Sequence, residues 1–256
     1  MRVFLRLALC FLFIHFCTLR SQTAWEALFA KKTFSSASGE LPFRLYVPDS
    51  INENLPLLVF LHGAGERGTD NEKQLLHGVK YFMLDSTKEQ YKCIIVAPQC
   101  PENKRWVEVD WKLQKHTIPE NISTPLNLTF LMLDSLIKEY PIDTNRIYIT
   151  GISMGGFGTW DAMVRRPDFF AAAMPICGGG DENTACLLKN IPIKAFHGKL
   201  DKLVVPARTT NMVNAIKKCN GNAKSLIFTD LGHFCWDNVY SNVENIRWLF
   251  TQKKQK

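Results

Sequence analysis

Apolar and polar residues alternate with period two over residues 41–47 (Leu-Pro-Phe-Arg-Leu-Tyr-Val), the spacing of a strand with one buried face. Residues 32–36 can pair with it as a hairpin across Ala37-Ser38-Gly39-Glu40. Residues 57–61 and 93–97 read differently, because each is a continuous apolar run of the kind found in strands buried on both faces. Residues 126–140 carry helical apolar spacing and stop before Pro141. Residues 146–150 predict a strand, followed by a tight turn and a helix to about residue 166. Two more strands are expected over 169–176 and 191–196, a helix over 207–218, a strand over 225–229 and a closing helix over 239–250. Strands alternating with helices predict an α/β fold with a parallel sheet covered on both sides. No repeat or low-complexity linker divides residues 22–256, so one domain is expected there.

The first 21 residues stand apart. Arg2 and Arg6 precede an apolar run from Leu7 to Cys17, a signal-peptide pattern too short for a convincing membrane span. Neither Cys10 nor Cys17 has the small preceding residue of a lipobox. The expectation is a leader cleaved near Gln22 and a secreted or periplasmic protein without a membrane anchor, with an uncleaved anchor as the alternative. Removing the leader takes three arginines and no acids, so the net charge falls from +7 to +4. No basic stripe with interleaved aromatics suggests a nucleic-acid partner. Cysteines 93, 100, 177, 186, 219 and 235 remain, and an exporting compartment permits disulfides. Cys93 and Cys100 lie at opposite ends of one predicted strand, as do Cys219 and Cys235 at another, so neither sequential pair can bridge. Cys177 with Cys186 is the one local pair expected. The sequons at Asn121 and Asn127 matter only if the chain passes through a glycosylating compartment.

The chemistry centres on Gly151-Ile152-Ser153-Met154-Gly155, placed between a predicted strand and a predicted helix. A serine at so sharp a turn takes strained backbone angles, and it presents its hydroxyl at a helix N-terminus. Serine is a poor nucleophile at neutral pH, so it needs a base, and the base needs an orienting carboxylate. His233 follows the last predicted strand, and Asp201 follows the one before it; Asp181 and Asp230 are the rivals to Asp201. The amide of Met154 is one expected oxyanion donor. The other comes from the glycine-rich loop Leu61-His62-Gly63-Ala64-Gly65-Glu66-Arg67-Gly68, at Ala64 or, one position on, Gly65. Glu66 and Arg67 are expected to form a local ion pair. His62 is expected to be structural, His197 to shape the turn presenting Asp201, and His77 and His116 to lie on the surface or in loops.

The strings LHGAGERG, APQCPENKRW, GISMGGFGTW, HGKLDKLVVP and GHFCW resemble the esterase and polyhydroxybutyrate-depolymerase-like branch of the α/β hydrolases, which includes feruloyl and acetylxylan esterases. The resemblance covers nearly all of residues 30–250. It implies the α/β-hydrolase fold, a mostly parallel central sheet with helices on both faces. It also implies ester hydrolysis through an acyl-enzyme without metal or cofactor, using Ser153, His233, Asp201, Met154 and Ala64. Where that branch more often has a serine or small polar residue, this chain has Cys235.

Only residues 178–190 are available where such folds carry a lid, too few for a helical cap. An uncapped site suits an acyl group on a bulky polymer and argues against a lipase that opens at interfaces. Trp106, Trp111 and Trp236 lie on segments expected near the site, where aromatic faces can stack on sugars or a phenolic acyl group. The expected substrate is therefore an acylated oligo- or polysaccharide carrying feruloyl-type or acetyl esters. A peptidase, a general short-chain esterase and a non-catalytic binding protein on the same scaffold are the alternatives.

Overall fold

The computed structural model of the protein describes residues 24–254. The expected leader lies outside the described residues. One eight-stranded sheet forms the centre: β1 (Ala30–Ser36), β2 (Gly39–Tyr46), β3 (Leu55–Leu61), β4 (Ile94–Pro98), β5 (Ile142–Ile152), β6 (Ala172–Ile176), β7 (Ile193–Gly198) and β8 (Ala223–Phe228). Among the described residues six helices surround it: α1 (Asp85–Gln90), α2 (Thr124–Glu139), α3 (Met154–Arg165), α4 (Ala207–Lys218), α5 (Trp236–Tyr240) and α6 (Val243–Phe250). The strand order is β1-β2-β4-β3-β5-β6-β7-β8. β1 and β2 form the expected hairpin, β2 runs antiparallel to β4, and every pairing from β4 to β8 is parallel.

The continuous apolar runs are where the sheet is covered twice. All of β3 and β4 is buried. Side chains alternate across β3: Leu57, Val59 and Leu61 join a core with α2, α3 and α4, whereas Leu58 and Phe60 join a second core with α5 and α6. α2 begins two residues before the expected start because the Ser123 hydroxyl accepts from the Leu126 amide and Pro125 fits the first turn.

Two expectations are corrected. The closing helix is two helices, because extended Asn242 restarts the chain and its side chain accepts from the Glu244 amide at 3.0 Å. Cys186 bonds Cys219 rather than Cys177. The 3-10 turn Glu182–Leu188 packs on α4, which places Cys186 beside the residue that ends that helix, with Cα atoms 5.2 Å apart. Among the described residues no helix is long and apolar enough to cross a membrane.

Candidate active site

β5 ends and α3 begins around Ser153, whose φ of 52° and ψ of −115° are rare outside glycine. The strain is tolerated because the surroundings fix it. The Ser153 amide donates to the Ile176 carbonyl at 2.9 Å. A Cβ on Gly155 would come within 1.9 Å of the Leu61 carbonyl oxygen, so only glycine lets α3 start this close to β3.

Three side chains from the ends of β5, β7 and β8 meet there. Ser153 Oγ is 2.8 Å from His233 Nε2, and His233 Nδ1 is 2.6 Å from Asp201 Oδ2. A carboxylate on Nδ1 assigns the ring proton to that nitrogen, which leaves Nε2 as an acceptor for the serine hydroxyl. Asp201 Oδ1 accepts from the amides of Leu203 and Val204 at 2.8 and 2.9 Å. Its Oδ2 faces a second imidazole, His197 Nε2, at 3.0 Å. Burial pushes the Asp201 carboxyl up, but hydrogen bonds from His197, His233 and Val204 outweigh it and hold the group well below the usual carboxylate range. His197 therefore does more than shape the turn, since it binds the carboxylate directly. Asp181 is occupied elsewhere, accepting from the amides of Ile118 and Asn183, and Asp230 is exposed.

A cleft of about 810 Å³ opens over Ser153. Ala64 and Gly65 both line it, while the Met154 amide is the first of α3, directly after the serine. Trp111 and Trp236 stand in its wall, and the Arg105 guanidinium lies 4.6 Å over the Trp111 ring. Trp106 does not reach it. That residue is 0 % exposed and its indole N–H donates at 3.0 Å to the carbonyl of His62, a buried acceptor at the end of β3.

The expected Glu66–Arg67 pair is corrected as well. Arg67 donates to the Ala64 carbonyl at 2.8 Å, while Glu66 turns into the cleft, 3.7 Å from His77. Burial raises the Glu66 carboxyl. His77 lies in a loop at the surface, as expected, and it also lines the cleft beside Trp236, their ring centroids 5.6 Å apart. His116 is half-buried against Arg208, and burial followed by that charge pushes it down to about 4. Leu203 and Phe234, 58 % and 74 % exposed, complete an apolar rim that sequence reasoning passed over. A phenylalanine directly after His233 was the available signal.

The sequence profile described as phospholipase/carboxylesterase matches residues 45–246. The chain belongs to that family. The expected α/β-hydrolase fold and esterase-branch membership are borne out. A thermostable esterase of known structure is 37% identical over 90% of this chain and 64% of its own, with a TM-score of 0.84. A feruloyl esterase module from Clostridium thermocellum, complexed with sinapinate, matches with a TM-score of 0.64 over 89% of each chain. At 17% identity it speaks for the fold alone. Among curated relatives, poly(3-hydroxyalkanoate) depolymerase C of Paucimonas lemoignei is 28% identical over 62% of this chain and 36% of its own length. The bifunctional acetylxylan esterase/xylanase of Neocallimastix patriciarum is 26% identical over 62% of this chain and 21% of its own. The chain thus spans only about a fifth to a third of the length of these curated relatives.

Proposed function

We propose that this protein is a serine carboxylic ester hydrolase that removes feruloyl-type or acetyl groups from plant polysaccharide. The observation that carries the chemistry is His233 held between Ser153 and a buried, ionised Asp201. Ser153 Oγ attacks the ester carbonyl carbon while its proton passes to His233 Nε2, and Asp201 stabilises the imidazolium. The amides of Met154 and Ala64, or Gly65, receive the developing oxyanion. Collapse breaks the bond to the alcohol, which leaves with the proton from His233. Water then repeats the sequence on the acyl-enzyme and frees the acid.

The substrate class is supported by acetylxylan esterases among the relatives and by an unlidded cleft walled by Trp111 and Trp236. The signal-peptide pattern expected over residues 1–21 supports action outside the cell or in the periplasm. A second reading, cleavage of a water-insoluble polyester, is favoured by the apolar rim of Leu203 and Phe234 together with the depolymerase relative. An organophosphonate should label Ser153, and Ser153→Ala should keep the fold while turnover of p-nitrophenyl acetate falls by up to about a millionfold. Near wild-type turnover would place the nucleophile elsewhere. Methyl ferulate, acetylated xylan, a short acyl ester and a polyhydroxyalkanoate film, assayed side by side, then separate the substrate readings.

A further inference from the structure

Two thiols that the proposed chemistry does not use sit directly beneath it. Cys177 follows β6 by one residue and Cys235 stands two residues beyond His233; both are fully buried, and their sulfurs lie 3.2 Å apart. Cys177 Sγ also donates to the His233 carbonyl at 3.2 Å, while its amide donates to the Phe196 carbonyl at 2.9 Å. Disulfide sulfurs stand about 2.05 Å apart, so closure requires an approach of about 1.2 Å. Cross-linking already belongs to this chain's chemistry, through Cys186 and Cys219. Cys93 and Cys100, the other free thiols among the described residues, flank β4 and cannot meet.

We infer that Cys177 and Cys235 form a second disulfide, which ties the exit of β6 to the loop carrying His233. The bond takes a low-molecular-weight disulfide such as oxidised glutathione as its oxidant. One cysteine thiolate attacks a glutathione sulfur and releases one glutathione thiol. The second cysteine attacks the resulting mixed disulfide and releases the other. The two cysteines lose two electrons and two protons, and both electrons reside in the two glutathione thiols. The thiol hydrogen bond to the His233 carbonyl is exchanged for the covalent tie.

The folded core dictates when this happens. Solvent does not reach either sulfur, and hydrogen bonding with Cys235, followed by burial, holds the Cys177 thiol far above its ordinary range. The bond therefore forms before the core closes and afterwards resists reductants while the fold is intact. It acts on both sides of the site, because the carbonyl of Ile176, the neighbour of Cys177, accepts from the Ser153 amide.

The full chain, refolded with reduced and oxidised glutathione, is denatured without reductant, alkylated with iodoacetamide, digested and mapped by mass spectrometry. The expected map shows Cys177 joined to Cys235 and Cys186 joined to Cys219, with alkylation at Cys93 and Cys100. Alkylated Cys177 and Cys235, or either paired with another cysteine, overturns the inference. Tethering is read from Cys235→Ser by unfolding midpoint, expected to fall by on the order of 5 °C or more in oxidatively folded protein. The difference from wild type should vanish when both are folded with excess dithiothreitol. An equal drop in both conditions would make Cys235 a packing residue only, and no drop in either would remove the tether. Neither readout uses esterase activity, so failure here and failure of the ester-hydrolase reading are distinguishable.

Discussion

A buried carboxylate stays charged only when donors replace the water it has lost. Asp201 has four: two main-chain amides on one oxygen and the rings of His197 and His233 on the other. Asp201→Asn keeps the size but offers an amide where an acceptor for the His233 Nδ1 proton is needed. We expect kcat to fall by about 10³ to 10⁴ with little change in fold, checked by turnover and circular dichroism. His62 shows the opposite treatment of a buried titratable group. Burial pushes it down to about 4, and its Nε2 accepts from the Cys100 amide at 2.9 Å, which a protonated ring could not do. Between pH 6.5 and about 4 the unfolded chain binds a proton there that the folded chain does not. Stability should therefore be intact above pH 6.5 and decline as the pH falls toward 4, by on the order of 3 kcal/mol. Melting curves of wild type and His62→Gln across that range test this; equal slopes would dismiss His62 as the acid-labile group. Ser153, Asp201 and His233 were legible because each follows a strand in the order the chemistry needs. The burial of Trp106 was not, since nothing in the sequence marks the His62 carbonyl as needing a donor. The facing of Glu66 and His77 was hidden for a similar reason: they come together only where one wall of the cleft closes.

Elements were most legible where burial is unambiguous. β3 and β4 announce themselves as apolar runs because both faces are covered, and α4 because its amphipathic stripe is clean. Breaks made by single polar side chains are harder to read, and the Asn242 restart between α5 and α6 is one. The Cys186–Cys219 bond was missed because it depends on a 3-10 turn lying across α4, a tertiary contact with no periodic signature. The close approach of α3 to β3 is an element-scale constraint with its own prediction. A methyl on Gly155 meets the Leu61 backbone at 1.9 Å, and no rotamer change relieves a clash with main chain. Gly155→Ala should thus cost more than the about 1–3 kcal/mol typical of overpacking, read as a lowered urea midpoint or as loss of soluble protein. An unchanged midpoint would mean that α3 can slide away from β3.

For the molecule as a whole, the chain after β6 folds down onto α4 and is bonded there, so it does not cover the site. The rim comes instead from Arg105, Asp110, Trp111 and Lys112 on one segment and from Leu203, Phe234 and Trp236 on others. An open cleft has room for a bulky alcohol, and Phe234 presents an exposed ring at its rim. Its centroid lies 5.6 Å from that of His233 and 5.0 Å from that of Trp236, so an aromatic edge runs beside the imidazole. An aromatic pair contributes about 0.5–1.5 kcal/mol beyond simple burial, and an acetyl group is too small to collect it. Phe234→Ser should therefore lower kcat/KM for methyl ferulate about 2- to 10-fold more than for p-nitrophenyl acetate. The comparison separates two roles for the residue. A selective loss means that Phe234 binds the acyl group, whereas equal losses on both esters mean that it holds His233 in place and that acyl size is sensed elsewhere along the cleft.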